Sequence, residues 1–352
     1  MFDNKVIVIT GGTGSLGKVL VSRLLSEKHG KPKKIIVFSR DEAKQHSMRM
    51  QYEQKKNATD DLIYSNFKRM LEFRIGDMRD YHSVCSVLQN ADIVINAAAL
   101  KQVPSCEYFP YEAVQTNIVG AENIVRAIRE NNLKVQTVVG VSTDKACKPI
   151  NVMGMTKAIQ ERIFISANVV LNGTRFVCVR YGNVLASRGS VIPLFYEQIK
   201  NGGPITITTD DMTRFLLTLE KAVDTIVAAV KSALPGEVYV PRVSSARIVN
   251  VAKALIEGRN IEIKTTGIRP GEKVHEILVS EEEALRTYEN NGYYVIKSML
   301  PELCLNEKSL NLLSKEYSSS DNVISLEETR ELLAKNNLMI GQELLVEGEI
   351  LR

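Results

Sequence analysis

Histidine is scarce in this chain: there are 4 in 352 residues, and none stands near another or near a pair of cysteines. That spacing leaves out the usual ligand sets for zinc, so no metal centre is expected. The five cysteines (Cys85, Cys106, Cys147, Cys178 and Cys304) are odd in number, scattered and without a C-x-x-C pair. They fit the reduced thiols of a cytoplasmic protein better than a disulfide framework. No window reaches the roughly 20 apolar residues of a membrane helix, so no membrane insertion is expected. At the N-terminus Met1-Phe-Asp-Asn-Lys runs directly into Val-Ile-Val-Ile-Thr, and no signal peptide is expected. A formal net charge of +4 is small for this length. It argues against a nucleic-acid partner and leaves room for a local cationic pocket. Internal repeats and low-complexity tracts are lacking as well.

What remains is the composition of an ordinary globular chain, 44% hydrophobic and 24% charged. Its length suits one large α/β unit with a smaller appended lobe. β-rich runs at 5–10, 34–39, 71–75, 92–96, 137–141 and 175–180 alternate with helical patterns such as 17–27, 111–130 and 153–168. This alternation predicts βαβ units and a Rossmann-type, doubly wound parallel sheet. Beyond Arg180, Gly and Pro punctuate shorter elements at 202–204, 235–236 and 269–271, which predicts a smaller C-terminal α/β lobe over the sheet's carboxyl edge. The expected division is 1–180 for the sheet domain and 181–352 for the lobe and a helical tail, the two interleaved. The polar stretch 45–65 is expected to be a solvated helix and loop. Ser325 and Glu328 form a capping-box pattern that should open a late helix.

After the first strand comes Thr10-Gly-Gly-Thr-Gly-Ser-Leu-Gly17, and a helix follows. Gly11 permits a tight turn, Gly14 a close approach to a pyrophosphate, and Gly17 close packing of helix on strand; the helix N-terminus faces the anion. Thr13, Ser15 and Leu16 complete this cofactor turn. The second strand ends at Ser39-Arg40 rather than in an acidic side chain, and a guanidinium can pair with a 2′-phosphate, so NADP is expected over NAD. Asp77, at the end of the third strand, is expected to meet the adenine amino group. Small Ala97, Ala98 and Ala99 after the fourth strand let a cofactor lie against the backbone. These features resemble the extended short-chain dehydrogenase/reductases.

The segment Val141-Ser-Thr-Asp-Lys-Ala-Cys-Lys-Pro-Ile-Asn-Val-Met-Gly-Met-Thr-Lys157 carries the most chemical information. Most members of that superfamily have Tyr-x-x-x-Lys here, with Tyr as general acid/base and Lys on the nicotinamide ribose. This chain keeps Lys157 and has Met153 in the Tyr place. A thioether cannot exchange a proton, which excludes a Tyr-dependent alcohol dehydrogenase. Upstream, Asp144 and Lys145 offer an acid and an amine at the end of the fifth strand; a surface ion pair is the alternative.

Ser142-Thr-Asp-Lys-Ala146, Pro149-Ile-Asn-Val-Met-Gly-Met-Thr-Lys157, Ala98-Ala-Leu-Lys-Gln-Val-Pro104 and Arg180-Tyr-Gly-Asn-Val184 resemble the bacterial UDP-N-acetylglucosamine 4,6-dehydratases. So do Ser187-Arg-Gly-Ser-Val-Ile-Pro193, Asp211-Met-Thr-Arg-Phe215 and Gly267-Ile-Arg-Pro-Gly-Glu-Lys-Val-His275. Those enzymes serve capsule, O-antigen and flagellin-glycan synthesis. Met153 is similar to the capsular branch, and 235–282 to the flagellin branch. The resemblance implies an internal redox cycle in which hydride leaves sugar C4 for NADP⁺, water departs across C5 and C6, and hydride returns to C6. It also implies inversion at C5 and a homo-oligomer, a dimer or hexamer. Asp144 and Lys145 would handle the C5 proton and the C6 hydroxyl, in either assignment. Thr143 would bond the C4 oxygen.

For the UDP-sugar substrate, Arg188, Arg214 and Arg269 are the candidate diphosphate ligands, Asn183 a cap for phosphate or acetamido, and Glu272 an acceptor for the uridine ribose. Lys101 is expected to touch substrate or close a loop, and His275 to be structural. Alternatives on the same scaffold are a retaining 4,6-dehydratase, a C4 epimerase or a dehydratase of another sugar nucleotide; Met153 counts against the epimerase. A non-catalytic NADP-binding regulator is the alternative from another class.

Overall fold

A computed structural model describes residues 1–54, 61–185, 190–304, 312–341, 344–346 and 349–351. The apolar run Val6–Thr10 is β1, and all of it is buried. Val6 and Val8 enter one hydrophobic core, Ile7 and Ile9 another on the opposite face. A strand that buries both faces lies inside a covered sheet, which is why this run shows no polar alternation. Lys34–Ser39 is β2 and divides the same way, Ile36 and Phe38 against Ile35 and Val37.

The other strands, in chain order, are β3 Leu71–Ile75, β4 Ile93–Asn96, β5 Thr137–Thr143, β6 Arg175–Tyr181, β7 Ile205–Ile207 and β8 Thr213–Phe215. They continue with β9 Val238–Pro241, β10 Ser245–Arg247, β11 Ile263–Thr265, β12 Ile277–Val279, β13 Thr287–Asn290, β14 Tyr293–Ile296, β15 Tyr317–Ser318, β16 Leu344–Val346 and β17 Glu349–Leu351. Nine of these build one sheet in the order β13-β14-β9-β6-β5-β4-β1-β2-β3. β1–β6 and β9 pair in parallel, and β14 and β13 close one edge antiparallel. The fold is therefore Rossmann-like and doubly wound, as the alternation of strands and helices predicts. Chain order reverses between β1 and β4, and the crevice at the carboxyl ends of such strands is where ligands lie in open α/β sheets.

Three local expectations are corrected. β5 runs two residues beyond Val141, because Ser142 and Thr143 stay in register with Arg180 and Tyr181 of β6. The helix expected at 111–130 is interrupted by a π-helical turn, Val114–Val119, between Pro110–Ala113 and Gly120–Glu130. The helix Glu42–Gln54 is not simply solvated: Met48 and Tyr52 are buried in the core, and Gln45 Nε2 donates to Ser39 O and Arg74 O, each at 2.9 Å. Residues 55–60 of that stretch lie outside the described residues.

The smaller lobe has its own core, including Ile192, Phe195, Met212, Val251, Leu255 and Leu333. Its short pairs are β7 with β11, β8 with β10, and β12 with β15. Ser325 and Glu328 form the reciprocal cap of the helix Leu326–Lys335. The chain passes between lobe and main sheet repeatedly, since β9, β13 and β14 join the sheet from within the second half. Among the described residues no helix is long and apolar enough to cross a membrane.

Candidate active site

At the cofactor end the three glycines meet three different constraints. Gly11 has φ +64°, and a Cβ on it would lie 2.8 Å from Ala98 Cα. A Cβ on Gly17 would collide with the backbone of Gly12, so only glycine lets the helix Ser15–Leu25 sit this close to the turn. A Cβ on Gly14 would meet only Gly11 O, at 3.4 Å, which leaves that side of the helix N-terminus approachable. Thr10 Oγ1 donates to Asn96 Oδ1 at 2.7 Å and accepts from Ala98 N at 3.2 Å, tying the tips of β1 and β4 together. Ala97 N bonds Thr10 O at 3.2 Å, and Ala99 is exposed beyond it. Ser15 is buried and Leu16 packs against the second core.

At the tip of β2, Thr13 Oγ1 donates to Ser39 Oγ at 3.2 Å. Arg40 is more than half exposed, with Nη1 3.9 Å from Asp77 Oδ2. Asp77 is already engaged: Arg79 Nε and Nη2 bond its Oδ2 at 2.9 and 2.7 Å, and Arg79 N bonds Oδ1 at 3.0 Å. Those contacts hold the Asp77 carboxyl below the usual range against the opposing effect of burial. Glycine turn and helix N-terminus together fit the pyrophosphate of a nicotinamide dinucleotide.

The segment after β5 folds over the strand end as a single 3₁₀ turn, Asp144–Ala146. Thr143 caps it: Oγ1 accepts from Lys145 N at 3.4 Å and donates to Asp144 Oδ1 at 2.8 Å. The Thr143 hydroxyl proton thus goes to Asp144, and a bond donated to a sugar oxygen would need the hydroxyl to turn. Asp144 is fully buried. Lys145 Nζ donates to Asp144 Oδ1 at 3.0 Å and pairs with Glu276 Oε1 at 3.2 Å. Burial alone would lower the Lys145 pKa, but Asp144 and then Glu276 more than offset it and the net direction is up. The buried oxygens Asp144 Oδ2 and Glu276 Oε2 have no hydrogen-bond partner. This is no surface ion pair.

The helix Val152–Val170 lies directly on this turn, and any Cβ at Gly154 would run into Lys145 O. One turn on, Lys157 Nζ donates to Val141 O at 2.6 Å and to Gln160 Oε1 at 2.7 Å. Burial pulls its pKa down to about 8. Met153 is buried with Cys106 and Ala113 in a small apolar cluster that Leu100, Val103 and Val152 also touch. Its part is packing. Asn117, in the π-turn, accepts from Leu100 N at 2.9 Å and donates to Leu100 O and to Thr156 Oγ1, both at 3.0 Å. It fixes the backbone just before Lys101, which is exposed.

The lobe reaches this turn through the segment 271–276. Asn151 Nδ2 bonds Gly271 O at 2.9 Å, Lys273 Nζ bonds Cys147 O at 2.7 Å, and Glu276 meets Lys145. Arg214 Nη1 donates to Thr213 O at 2.7 Å and to Val274 O at 3.0 Å, and its Nε lies 3.9 Å from Glu276 Oε1. Asn183 follows β6 with its Oδ1 buried and unpartnered. Glu272 Oε2 accepts from Thr208 Oγ1 at 3.3 Å. Arg269 is exposed, and His275 Nδ1 is bound to Thr213 Oγ1 at 2.8 Å. Arg188 lies outside the described residues. Glu276 lies one residue past the motif that ends at His275, and its only mark in the sequence is a carboxylate set directly before the apolar β12. Among the described residues no group of three or more His, Cys, Asp or Glu could hold a metal.

A glycine-turn Rossmann sheet with an acid–amine turn at the end of β5 defines an α/β protein of the dinucleotide-binding kind. The family described as "Polysaccharide biosynthesis protein" matches residues 7–298, and the chain belongs to it. A protein named UDP-glucose 4-epimerase from Rickettsia akari (strain Hartford) is 43% identical over 95% of this chain and 96% of its own. The crystal structure of Pen from Bacillus thuringiensis is 36% identical, with a TM-score of 0.85 over 96% of this chain and 99% of that one. DesIV, a dTDP-glucose 4,6-dehydratase from Streptomyces venezuelae solved with NAD and TYD, shares the fold at 18% identity. Its TM-score is 0.64, over 76% of this chain and 86% of its own.

Proposed function

We propose that this protein is an NADP-dependent UDP-N-acetylglucosamine 4,6-dehydratase that inverts C5, working in bacterial surface-polysaccharide synthesis as a homo-oligomer. One observation carries the reading: a fully buried Asp144 and a partly buried Lys145 lie hydrogen-bonded at the end of β5, while the place of the usual Tyr holds Met153 in an apolar cluster. Acid–base power is concentrated on the side where a C5 proton and a C6 hydroxyl must be handled, and is absent where an alcohol alone would be oxidised.

NADP bound at the glycine turn would take a hydride from sugar C4 and return it to C6, leaving no net oxidation. The protein's own groups do the rest. Lys157, buried and tied to the β5 backbone, supports the nicotinamide ribose. Asp144 and Lys145 move the C5 proton and protonate the departing C6 hydroxyl. Thr143 Oγ1 accepts the C4 hydroxyl proton as the hydride leaves and passes its own proton to Asp144; that proton and the one taken from C5 go to the departing C6 hydroxyl and back to C5. Arg214, Arg269 and Arg188 hold the diphosphate, Asn183 caps it, Glu272 takes the uridine ribose, and Lys101 covers the sugar. Ser39 and Arg40 favour NADP by accepting the 2′-phosphate.

A second reading, a C4 epimerase, is favoured by the name of the Rickettsia relative. Product mass separates the two. Incubated with UDP-N-acetylglucosamine or UDP-glucose, a dehydratase yields a nucleotide sugar lighter by one water, whereas an epimerase yields an isomer of unchanged mass. An isomer alone would overturn the dehydratase.

A further inference from the structure

Glu276 belongs to the lobe, yet its carboxylate is buried against the turn that carries Asp144 and Lys145. Its backbone is pinned on both sides: Glu276 N donates to Ser319 Oγ at 2.9 Å, and Ser319 N donates to Glu276 O at 2.8 Å. Ser319 Oγ is in turn 2.7 Å from Thr213 Oγ1. A side chain held this firmly delivers its oxygen to a fixed point, 3.2 Å from Lys145 Nζ. On the other side of that ammonium is Asp144 Oδ1, at 3.0 Å. Two carboxylates on one ammonium leave a surplus negative charge, which Arg214 only partly answers from 3.9 Å. In a finished structural cluster every buried oxygen would be bonded, and here one oxygen of each carboxylate is not.

We propose that Glu276 is a positioning residue for the reaction: it holds the Lys145 ammonium beside Asp144, so that one arm of the acid–base pair is set by the second lobe. This rests on the proposed role of Asp144 and Lys145. The charged groups facing Lys145 are Asp144 on its own turn, Glu276 before β12 and Arg214 on β8. Lys157 on the neighbouring helix is bonded to Val141 O and Gln160, and His275 to Thr213. Both carboxylates push the Lys145 pKa up, so removing the Glu276 charge should bring it down.

The test uses the full-length protein with NADP bound and lysine labelled for NMR at Cε and Nζ, the Lys145 signal being assigned from Lys145→Arg. In Glu276→Gln the Lys145 titration should move to lower pH, with melting temperature and NADP content kept. Glu276→Asp, which keeps the charge, should restore most of the shift. With UDP-N-acetylglucosamine, Glu276→Gln should lower kcat about tenfold or more and leave KM within about threefold, and the Lys145 limb of the pH profile should move down with the titration. An unmoved Lys145 titration in folded Glu276→Gln overturns the proposal. Loss of the folded state in both variants overturns it too, since Glu276 would then serve the fold. A parent enzyme that leaves UDP-N-acetylglucosamine unchanged sinks the proposed function instead, while the titration still reads the Glu276 contact.

Discussion

Two buried charge clusters join the sheet to the segment after Gly271, and they are built to opposite rules. In the first, Arg180 of β6 uses all five of its N–H donors. Nε and Nη2 bond Glu161 at 3.0 and 2.7 Å, Nη1 and Nη2 bond Glu283 at 2.7 and 2.9 Å, and Nη1 also bonds Leu278 O at 2.9 Å. Arg180 and its hydrogen bonds draw the Glu283 pKa down to about 2 against its burial. In the second, Asp144, Lys145 and Glu276 leave two buried oxygens without partners. The contrast supports the proposed division into scaffold and site: the satisfied cluster keeps no free donor on Arg180, and the unsatisfied one keeps two unbonded carboxylate oxygens.

Breaking the two clusters should therefore have different consequences. Arg180→Met strands Glu161 and Glu283 in the interior, and a cost of about 3–5 kcal/mol is expected from denaturant unfolding. A loss under about 1 kcal/mol would refute the scaffold role. Lys145→Ala should instead abolish C5 deuterium exchange and lower turnover about 10²–10⁴-fold, with NADP binding intact. Unchanged turnover in that variant would sink the assignment of Lys145.

A smaller effect is expected at Lys157. Its pKa is about 8 in the folded protein, below the ordinary 10.5, so between those values the unfolded chain binds more protons. Stability should rise with pH across that window, by up to about 3 kcal/mol, and be lowest below pH 8. Lys157→Gln should lack this rise, which urea titrations at pH 7 and pH 10 would show. The smallest change belongs to Met153. Met153→Leu conserves volume in an apolar cluster and should cost under about 1.5 kcal/mol while keeping turnover within a few-fold. A hundredfold loss there would mean that the thioether meets the reacting groups.

The cofactor half was legible because its signals are local. The apolar runs of β1 and β2, the glycine turn and the helix behind it lie within 40 residues, and Gly11 and Gly17 are each required sterically. The acid–amine turn was legible through Asp144 and Lys145, adjacent in sequence and at a strand end. Glu276 was not, because it reaches Lys145 from 131 positions along the chain and no period marks it. The partners of Arg180 were hidden for the same reason, one of them 103 positions away. The π-turn at Val114–Val119 escaped because its apolar spacing reads as an ordinary helix; only the bonds of Asn117 to Leu100 and Thr156 explain it.

The central claim, an acid–base turn that eliminates water across C5 and C6 during a closed hydride cycle, is tested most directly by proton NMR. The purified protein with bound NADP is given UDP-N-acetylglucosamine in deuterated water without added reductant. The account predicts a new C6 methyl signal with deuterium at C5, and ring couplings that report inversion. An untouched sugar, or a C4 isomer with its C6 hydroxyl retained, would contradict it.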